Sequence, residues 1–231
     1  MIGSPLATSV VFHLGPVPVT GPVVVTWVLM AGLAGGSALL TRRLALRPGR
    51  VQAALELVVA TIEDQIRDTM RVAPEPYLPL IGTLFVYIFF ANWSSLVPGI
   101  EPPTAHIETD AALALIVFVA VIWFGVRVRG LRGFAASFAE PTMLMVPLNL
   151  LETFTRTFSM LVRLFGNVMS GVFVIGIVLS LVGLLVPVPL MALDLLTGAV
   201  QAYIFGVLAM VFIGGAVSGE TGAGPQQEAK E

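Results

Sequence analysis

Between Pro141 and the VPVP stretch at Val186 to Pro189 lies an apolar run, Thr142 to about Leu185, and its length constrains the chain more than any other feature. Its roughly 44 residues, as one helix rising about 1.5 Å per residue, would reach about 65 Å, twice the ~30 Å core of a bilayer. Such a helix must tilt strongly, lie partly along the surface, or break, and Gly166, Gly171, Gly176 and Gly183 offer places to bend. Inside the run, Asn149, Glu152, Arg156, Ser159, Arg163, Asn167 and Ser170 recur at steps of three and four, the spacing that gathers side chains on one helix face. Arg163 is flanked by Leu161, Val162, Leu164 and Phe165. A guanidinium that keeps its proton is costly in hydrocarbon unless it faces protein or water, which makes Arg163 a functional candidate.

With 231 residues, 57% hydrophobic and 11% charged, the chain is an integral membrane protein by composition. The first arginine is Arg42, so the N-terminus lacks the basic start of a signal peptide and is expected to belong to the mature chain. Zero cysteines exclude disulfides, thiolate metal sites and cysteine nucleophiles. Nothing resembles a basic nucleic-acid face, and no metal site or cofactor is expected.

The chain reads as one all-α membrane domain of about five membrane helices plus one interfacial amphipathic helix. Residues 1–21, with Pro5, Gly15, Pro16 and Pro18, are expected to form an irregular outer leader. Residues 23–40 are uncharged and long enough to span; Arg42, Arg43, Arg47 and Arg50 follow, which puts that end in the cytoplasm and the N-terminus outside. Residues 51–72 mix apolar positions with Glu56, Glu63, Asp64, Arg67, Asp68 and Arg71, as an interfacial helix does; an ordinary linker helix is the plainer reading. Residues 78–96 form the second span, with Trp93 near its far end. The loop 98–110 carries Glu101, Glu108 and Asp110 but no Lys or Arg, as an outer loop should. Residues 111–126 return inward, and Arg127, Arg129 and Arg132 mark the same inner side. The long tilted fourth helix, 142–185, then turns through VPVP into a long fifth helix, 190–217, and the polar tail 219–231 is expected to be disordered.

The last two helices, joined by a short turn, are expected to pair as an antiparallel hairpin. Asp194, Thr197 and Gln201 repeat the three-then-four spacing on the fifth. They enter from its outer end, whereas Asn149, Glu152 and Arg156 lie toward the inner end of the fourth, with Arg163 between. Two wet half-paths separated by a fixed positive charge would carry ions without a leak.

At Leu161 to Gly171 the sequence LVRLFGNVMSG resembles the core motif of subunit a, the membrane stator of the F-type ATP synthase. PPTAHIETDAALAL (102–115), Pro147, Arg156 and GAVQAYIFGVLAMVFI (198–213) resemble further family segments in matching order. The resemblance covers about 75–217; the first helix is matched by topology alone. It implies a ring of c subunits whose buried carboxylates pass the hairpin, a b-subunit peripheral stalk, and the rest of the complex as partners, in a multi-pass protein of a bacterial inner membrane. By this resemblance Arg163 is the essential arginine that draws out the ring carboxylate's ion and keeps two half-channels apart. Gln201 matches the family's glutamine facing that arginine, and Asn167 the asparagine one turn beyond. Ser170, Asn149, Glu152, Arg156, Asp194, His106 and Glu108 complete the expected half-channel set. The chain departs from the family at Val172, where an ionisable residue is common, at Asp194, at His106 and Glu108, and at Asn149, where Glu152 one turn later can substitute. Protons and sodium ions both stay open as the cargo.

Each residue also has a plain structural reading. Arg156 is placed to pair with Glu152 four residues earlier; Asp194 can snorkel to the surface; His106 can be a loop residue; Gly166 and Gly171 can permit close helix approach; Ser159 and Ser170 can bond their own backbone. Two other functions compete. A stand-alone ion-coupled transporter would need its own substrate pocket, and the chain shows no internal repeat. An intramembrane enzyme would need a base or metal that no predicted span supplies, and no phosphate-binding loop is present, so the chain is expected to be a non-catalytic subunit.

Overall fold

The computed structural model describes residues 10–14, 17–42, 49–96, 102–137, 146–182 and 187–218. Five of its helices are long and apolar enough to cross a membrane. They are α1 (Gly21–Thr41), α3 (Leu78–Trp93, extended by a 3-10 turn at Ser94–Leu96), α4 (Ile107–Ser137), α5 (Val146–Val182) and α6 (Pro187–Ser218). A sixth, α2 (Arg50–Met70), is amphipathic and does not qualify as a span. The chain is an all-α multi-pass membrane protein.

Local chemistry sets several boundaries. Pro22 and Pro79 stand in the first turns of α1 and α3, where the missing N–H costs nothing because those donors have no partner in the helix. α2 closes on Arg71, left-handed at φ 54°, whose N–H reaches the Arg67 carbonyl at 3.0 Å. α4 starts with Glu108 and Asp110 in its first turn, where acidic groups suit the helix dipole. It therefore begins ahead of the expected 111, and it runs past 126 to a break at Gly130, where φ is 73° and ψ 164°. Beyond the break the Phe134 ring folds back over Gly125, which has no side chain to obstruct it.

Two other expectations change. The leader is not wholly irregular: β1 (Val10–Leu14) and β2 (Val17–Thr20) pair as an antiparallel ribbon, with Pro18 opposite His13. A two-stranded ribbon leaves half its backbone groups outside the ladder, so a proline fits there. Of the stretch Val186 to Pro189, expected to be a turn, Pro187 to Pro189 already lie in the first turn of α6, and Val186 lies outside the described residues. Glu101, Gly183 and the tail 219–231 lie outside the described residues.

α5 is a single uninterrupted helix of 37 residues, about 55 Å long, and passes through Gly166, Gly171 and Gly176 without breaking. Of the alternatives, breaking is the one it avoids; a span this long has to tilt or run beyond the core.

α6 is the axis of the bundle. It meets α2, α3, α4 and α5, and contributes Ala202, Phe205, Ala209, Met210 and Ile213 to the two apolar clusters. One cluster joins Leu84, Tyr87, Ile88 and Ala91 of α3 to Leu113 and Val117 of α4 and Met160 and Leu164 of α5. The other seats Ile66 and Met70 of α2, with Tyr77, against Ile81, Ala120, Met210 and Ile213. A stripe of small residues on α6 makes these approaches possible. A Cβ added at Gly198 would lie 2.9 Å from the Asn92 Cβ, and one at Gly214 would lie 3.3 Å from Met70. In a membrane, where lipid is as apolar as leucine, this backbone proximity is what dispersion attraction between helices requires. Replacing Gly198 by Leu should cost about 1–3 kcal/mol by overpacking. A thermal unfolding series on the detergent-solubilised complex should show a lower midpoint for Gly198→Leu and none of that loss for Gly32→Leu, whose site is open within 4 Å.

Candidate functional site: the charged face of the α5–α6 hairpin

α5 and α6 run in opposite directions: the Asp194 carboxylate sits against Gly171, and the Arg156 guanidinium lies over the Phe212 ring, 5.5 Å from its centroid. The expected hairpin is therefore formed. The polar repeat of α5 falls on its outward face, with Glu152, Arg156, Ser159, Arg163 and Ser170 exposed and Asn167 half-buried. Arg156 pairs with Glu152, so the plain reading of that residue holds alongside its place on the face. Ser170 donates to the Asn167 carbonyl at 2.9 Å, satisfying itself on its own helix.

Arg163 differs from its neighbours. It stands near the midpoint of α5, about 26 Å from the helix start, and forms no hydrogen bond or ion pair among the described residues. It lines a groove of about 610 Å³ with Glu152, Thr155, Arg156, Ser159, Leu208 and Phe212. A second cavity of about 310 Å³ opens between α4, α5 and α6 and shares Glu152, Arg156 and Phe212 with the first; Asn149, Thr153, Thr157 and Ser137 add its polar lining. Polar groups thus run from the α4 break toward Arg163. Asn149 itself is buried.

Toward the other end of the hairpin a third cavity, about 150 Å³, is lined by Ser95, Pro102, Val172, Ile175, Asp194 and Leu195. Val172 lies roughly nine residues beyond Arg163, or about 13 Å along the axis. Asp194 is half-buried and faces this cavity, so it is not simply a surface group at a helix end. Gly171 is required for this: a Cβ there would occupy the space of the Asp194 carboxylate. Val172 brings no ionisable group to the cavity, and among the described residues that line it Asp194 is the one carboxylate.

The remaining candidates are not drawn into this face. Gln201 is 6% exposed on α6, among the bundle contacts, and no hydrogen bond joins it to Arg163 among the described residues. His106 is half-buried, and its carbonyl starts α4 by accepting from the Thr109 and Asp110 N–H groups at 3.1 and 3.3 Å. Glu108 is exposed in the same first turn.

Sequence reasoning passed over Asn92. Its amide donates to the Gly198 carbonyl at 2.8 Å and its oxygen accepts from the Thr104 hydroxyl at 2.6 Å, all three buried; Trp93 Nε1 donates to the Leu195 carbonyl at 3.3 Å. Two successive residues of α3 therefore hold two α6 carbonyls one turn apart. The clamp fixes the axial register of α6, and with it the heights of Asp194 and Gln201. A polar amide inside an apolar span was the available signal.

A bundle of membrane-length helices, whose longest member presents a permanent cation beside a groove, defines a multi-pass membrane protein. The sequence pattern described as ATP synthase A chain matches residues 23–214, and the chain belongs to that family, subunit a of the ATP synthase. It is 58% identical over 217 residues to ATP synthase subunit a 2 of Bradyrhizobium sp. (strain BTAi1), covering 94% of this chain and 97% of the relative. It is 47% identical to ATP synthase subunit a of Albidiferax ferrireducens, over 85% of this chain and 86% of the relative. With ATP synthase subunit a 1 of Prosthecochloris aestuarii the identity is 46%, over 90% and 94%.

If the clamp sets the register, Asn92→Leu should cost about 1–3 kcal/mol, because the Thr104 hydroxyl is left buried and unpaired. Adding Thr104→Val should recover part of that loss, giving a non-additive double-mutant cycle in thermal unfolding.

Proposed function

We propose that this chain is the stator through which ions cross the membrane sector of a rotary ATP synthase. The observation that carries the reading is Arg163, a permanent cation exposed on a membrane helix and without a hydrogen bond or ion pair among the described residues. Such a group needs water or a counter-charge beside it. A neighbouring ring of c subunits, each with a membrane carboxylate, supplies it. The α5 face bearing Arg163, Ser159 and Glu152 is the surface that meets this ring; the b-subunit stalk and the rest of the complex hold it in place.

The ion enters an outer half-channel at the cavity of Asp194, with Ser95 on its wall and His106 and Glu108 at the neighbouring loop. It loads a ring carboxylate, travels around with the ring, and returns to the far side of Arg163. There the guanidinium favours the ionised carboxylate and the ion leaves. Its exit is the connected groove and cavity lined by Glu152, Arg156, Asn149 and Thr157. Asn167, one turn from Arg163 on α5, shapes the space through which the carboxylate passes, while Gln201 stays buried among the bundle contacts of α6. Arg163 is also the barrier, because a cation moving directly between the two cavities would meet a fixed like charge. The chain itself carries out no bond chemistry; ATP is made or hydrolysed on other subunits. The N-terminus lies outside and the C-terminus in the cytoplasm of a bacterial inner membrane, as the arginine clusters at Arg42 and at Arg127 to Arg132 indicate.

Arg163→Ala should abolish ion-driven ATP synthesis in the reconstituted complex, a loss of about a hundredfold or more, while the complex still assembles. Full coupling in an assembled Arg163→Ala complex would refute the role. ATPase activity measured across sodium concentrations at fixed pH identifies the cargo: activation by sodium marks sodium, and indifference to it marks protons.

A further inference from the structure

Arg163 shares its face of α5 with a second exposed cation. Arg156 stands seven residues earlier, two turns or about 10 Å along the axis, and lines the same groove. The two arginines are alike in charge but not in surroundings. Arg163 has no hydrogen bond or ion pair among the described residues, whereas Arg156 is held twice. Its Nη2 pairs with Glu152 one turn earlier, and its guanidinium carbon lies 5.5 Å from the centroid of the Phe212 ring on α6. A cation over an aromatic face is attracted by the quadrupole of the ring, and here the attraction draws Arg156 across the hairpin toward α6. The ring is a fixed anchor, because Phe212 is half-buried and packs against the apolar cluster formed by α3, α4, α5 and α6. Glu152, Arg156 and Phe212 are also the three residues common to the groove beside Arg163 and the cavity between α4, α5 and α6, so carboxylate, guanidinium and phenyl ring stand where the two spaces meet. The side chains of Glu152 and Arg156 are each 44% exposed, so contacts and not burial set the position of the guanidinium.

Two equal cations on one face would compete for the same counter-charge. A cation already beside an opposite charge offers little to a further carboxylate, whereas an unpaired one offers its full charge. An ion pair this exposed is a loose restraint by itself, and the phenyl ring supplies the second point that keeps the guanidinium turned to α6. We propose that Phe212 is a positioning residue for ion transfer: its phenyl ring, together with Glu152, holds Arg156 against α6, so that Arg163 alone meets the c-subunit carboxylate. With the phenyl ring removed, Arg156 swings out over the exposed face. A carboxylate that has released its ion is then held ionised at a second cation two turns from the first, and reloads more slowly. The inference deepens the stator reading and rests on it.

A double-mutant cycle on ion-driven ATP synthesis by the reconstituted complex tests this, with assembly followed by the subunit composition of the purified protein. Phe212→Leu should lower the synthesis rate about two- to fivefold, and Phe212→Tyr, which keeps an aromatic face, should restore it. In an Arg156→Gln background there is no guanidinium to hold, so the factor lost through Phe212→Leu should shrink to about one. A side chain that only fills space would lower the rate by the same factor in both backgrounds, and that result overturns the proposal. An unchanged rate in Phe212→Leu overturns it too, as does a Phe212→Tyr rate as low as that of the leucine variant. If Phe212→Leu does not assemble, Phe212→Met, whose flexible side chain fills the gap without a ring face, is read in the same way. An equal factor in both backgrounds with Arg163→Ala still inactive removes the Phe212 role alone, while full coupling in an assembled Arg163→Ala complex removes the stator reading beneath it.

Discussion

A guanidinium cannot escape a low-dielectric surrounding by giving up its proton, as lysine or a carboxylate can. Whatever surrounds Arg163 must supply water or a negative charge, and this requirement organises α5. The helix keeps its Glu152–Arg156 pair two to three turns away, so that the carboxylate on the same face is already engaged. It presents the arginine on an exposed face with a groove beside it, and buries Met160 and Leu164 on the opposite side against α3, α4 and α6. The same helix is thus apolar where it meets its own bundle and polar where it meets something else. Only about a tenth of its most apolar window is buried inside the chain, which for a helix of this length means that most of its surface awaits lipid or another subunit.

The complementary demand falls on α6. To hold α5 against the bundle while leaving cavities on either side of Arg163, α6 must pack closely on three neighbours without large side chains. Gly198, Ala202, Gly206 and Gly214 meet that demand on the side toward α3 and α2. Close backbone approach then permits specific bonds. Asn92 and Trp93 reach α6 carbonyls that bulkier residues would shield, so that packing and polar fixation reinforce each other. In hydrocarbon a polar group left alone is penalised, so a bond that fixes register also discriminates against slipped alternatives.

How far this could be read in the sequence depended on charge. The five spans, the hairpin and the α5 face follow from apolar length and from polar residues at helical spacing, signals that survive without any knowledge of neighbours. Arg163 stood out because a charge among leucines has few explanations. Asn92 and Thr104 did not, since an uncharged amide and a hydroxyl in or beside an apolar run become informative only when their partners, Gly198 and each other, are known to lie across the bundle. Gly171 illustrates the same limit: a tolerance for close approach is legible, but that a carboxylate fills the space is not. The continuation of α4 beyond Arg127 escaped because the arginines that mark the inner side also mask the helix that carries them, and only the positive φ at Gly130 shows where it breaks. In the leader, prolines were read against a helix when the competing structure was a two-stranded ribbon.

Asp110 and Asp194 are the two carboxyl groups at the Pro102 end of the bundle whose surroundings differ most. Asp194 faces a cavity beside the hairpin; Asp110 is closed in beside the Pro103–Ala105 turn, and neither of its carboxyl oxygens has a hydrogen-bond partner among the described residues. Burial away from water disfavours the charged form of a carboxyl group, and contact with water favours it. Val172 brings no ionisable group to the Asp194 cavity, so the carboxyl there comes from α6 across the hairpin, whereas Asp110, one turn beyond His106, is a carboxyl in the first turn of α4 where no solvent reaches.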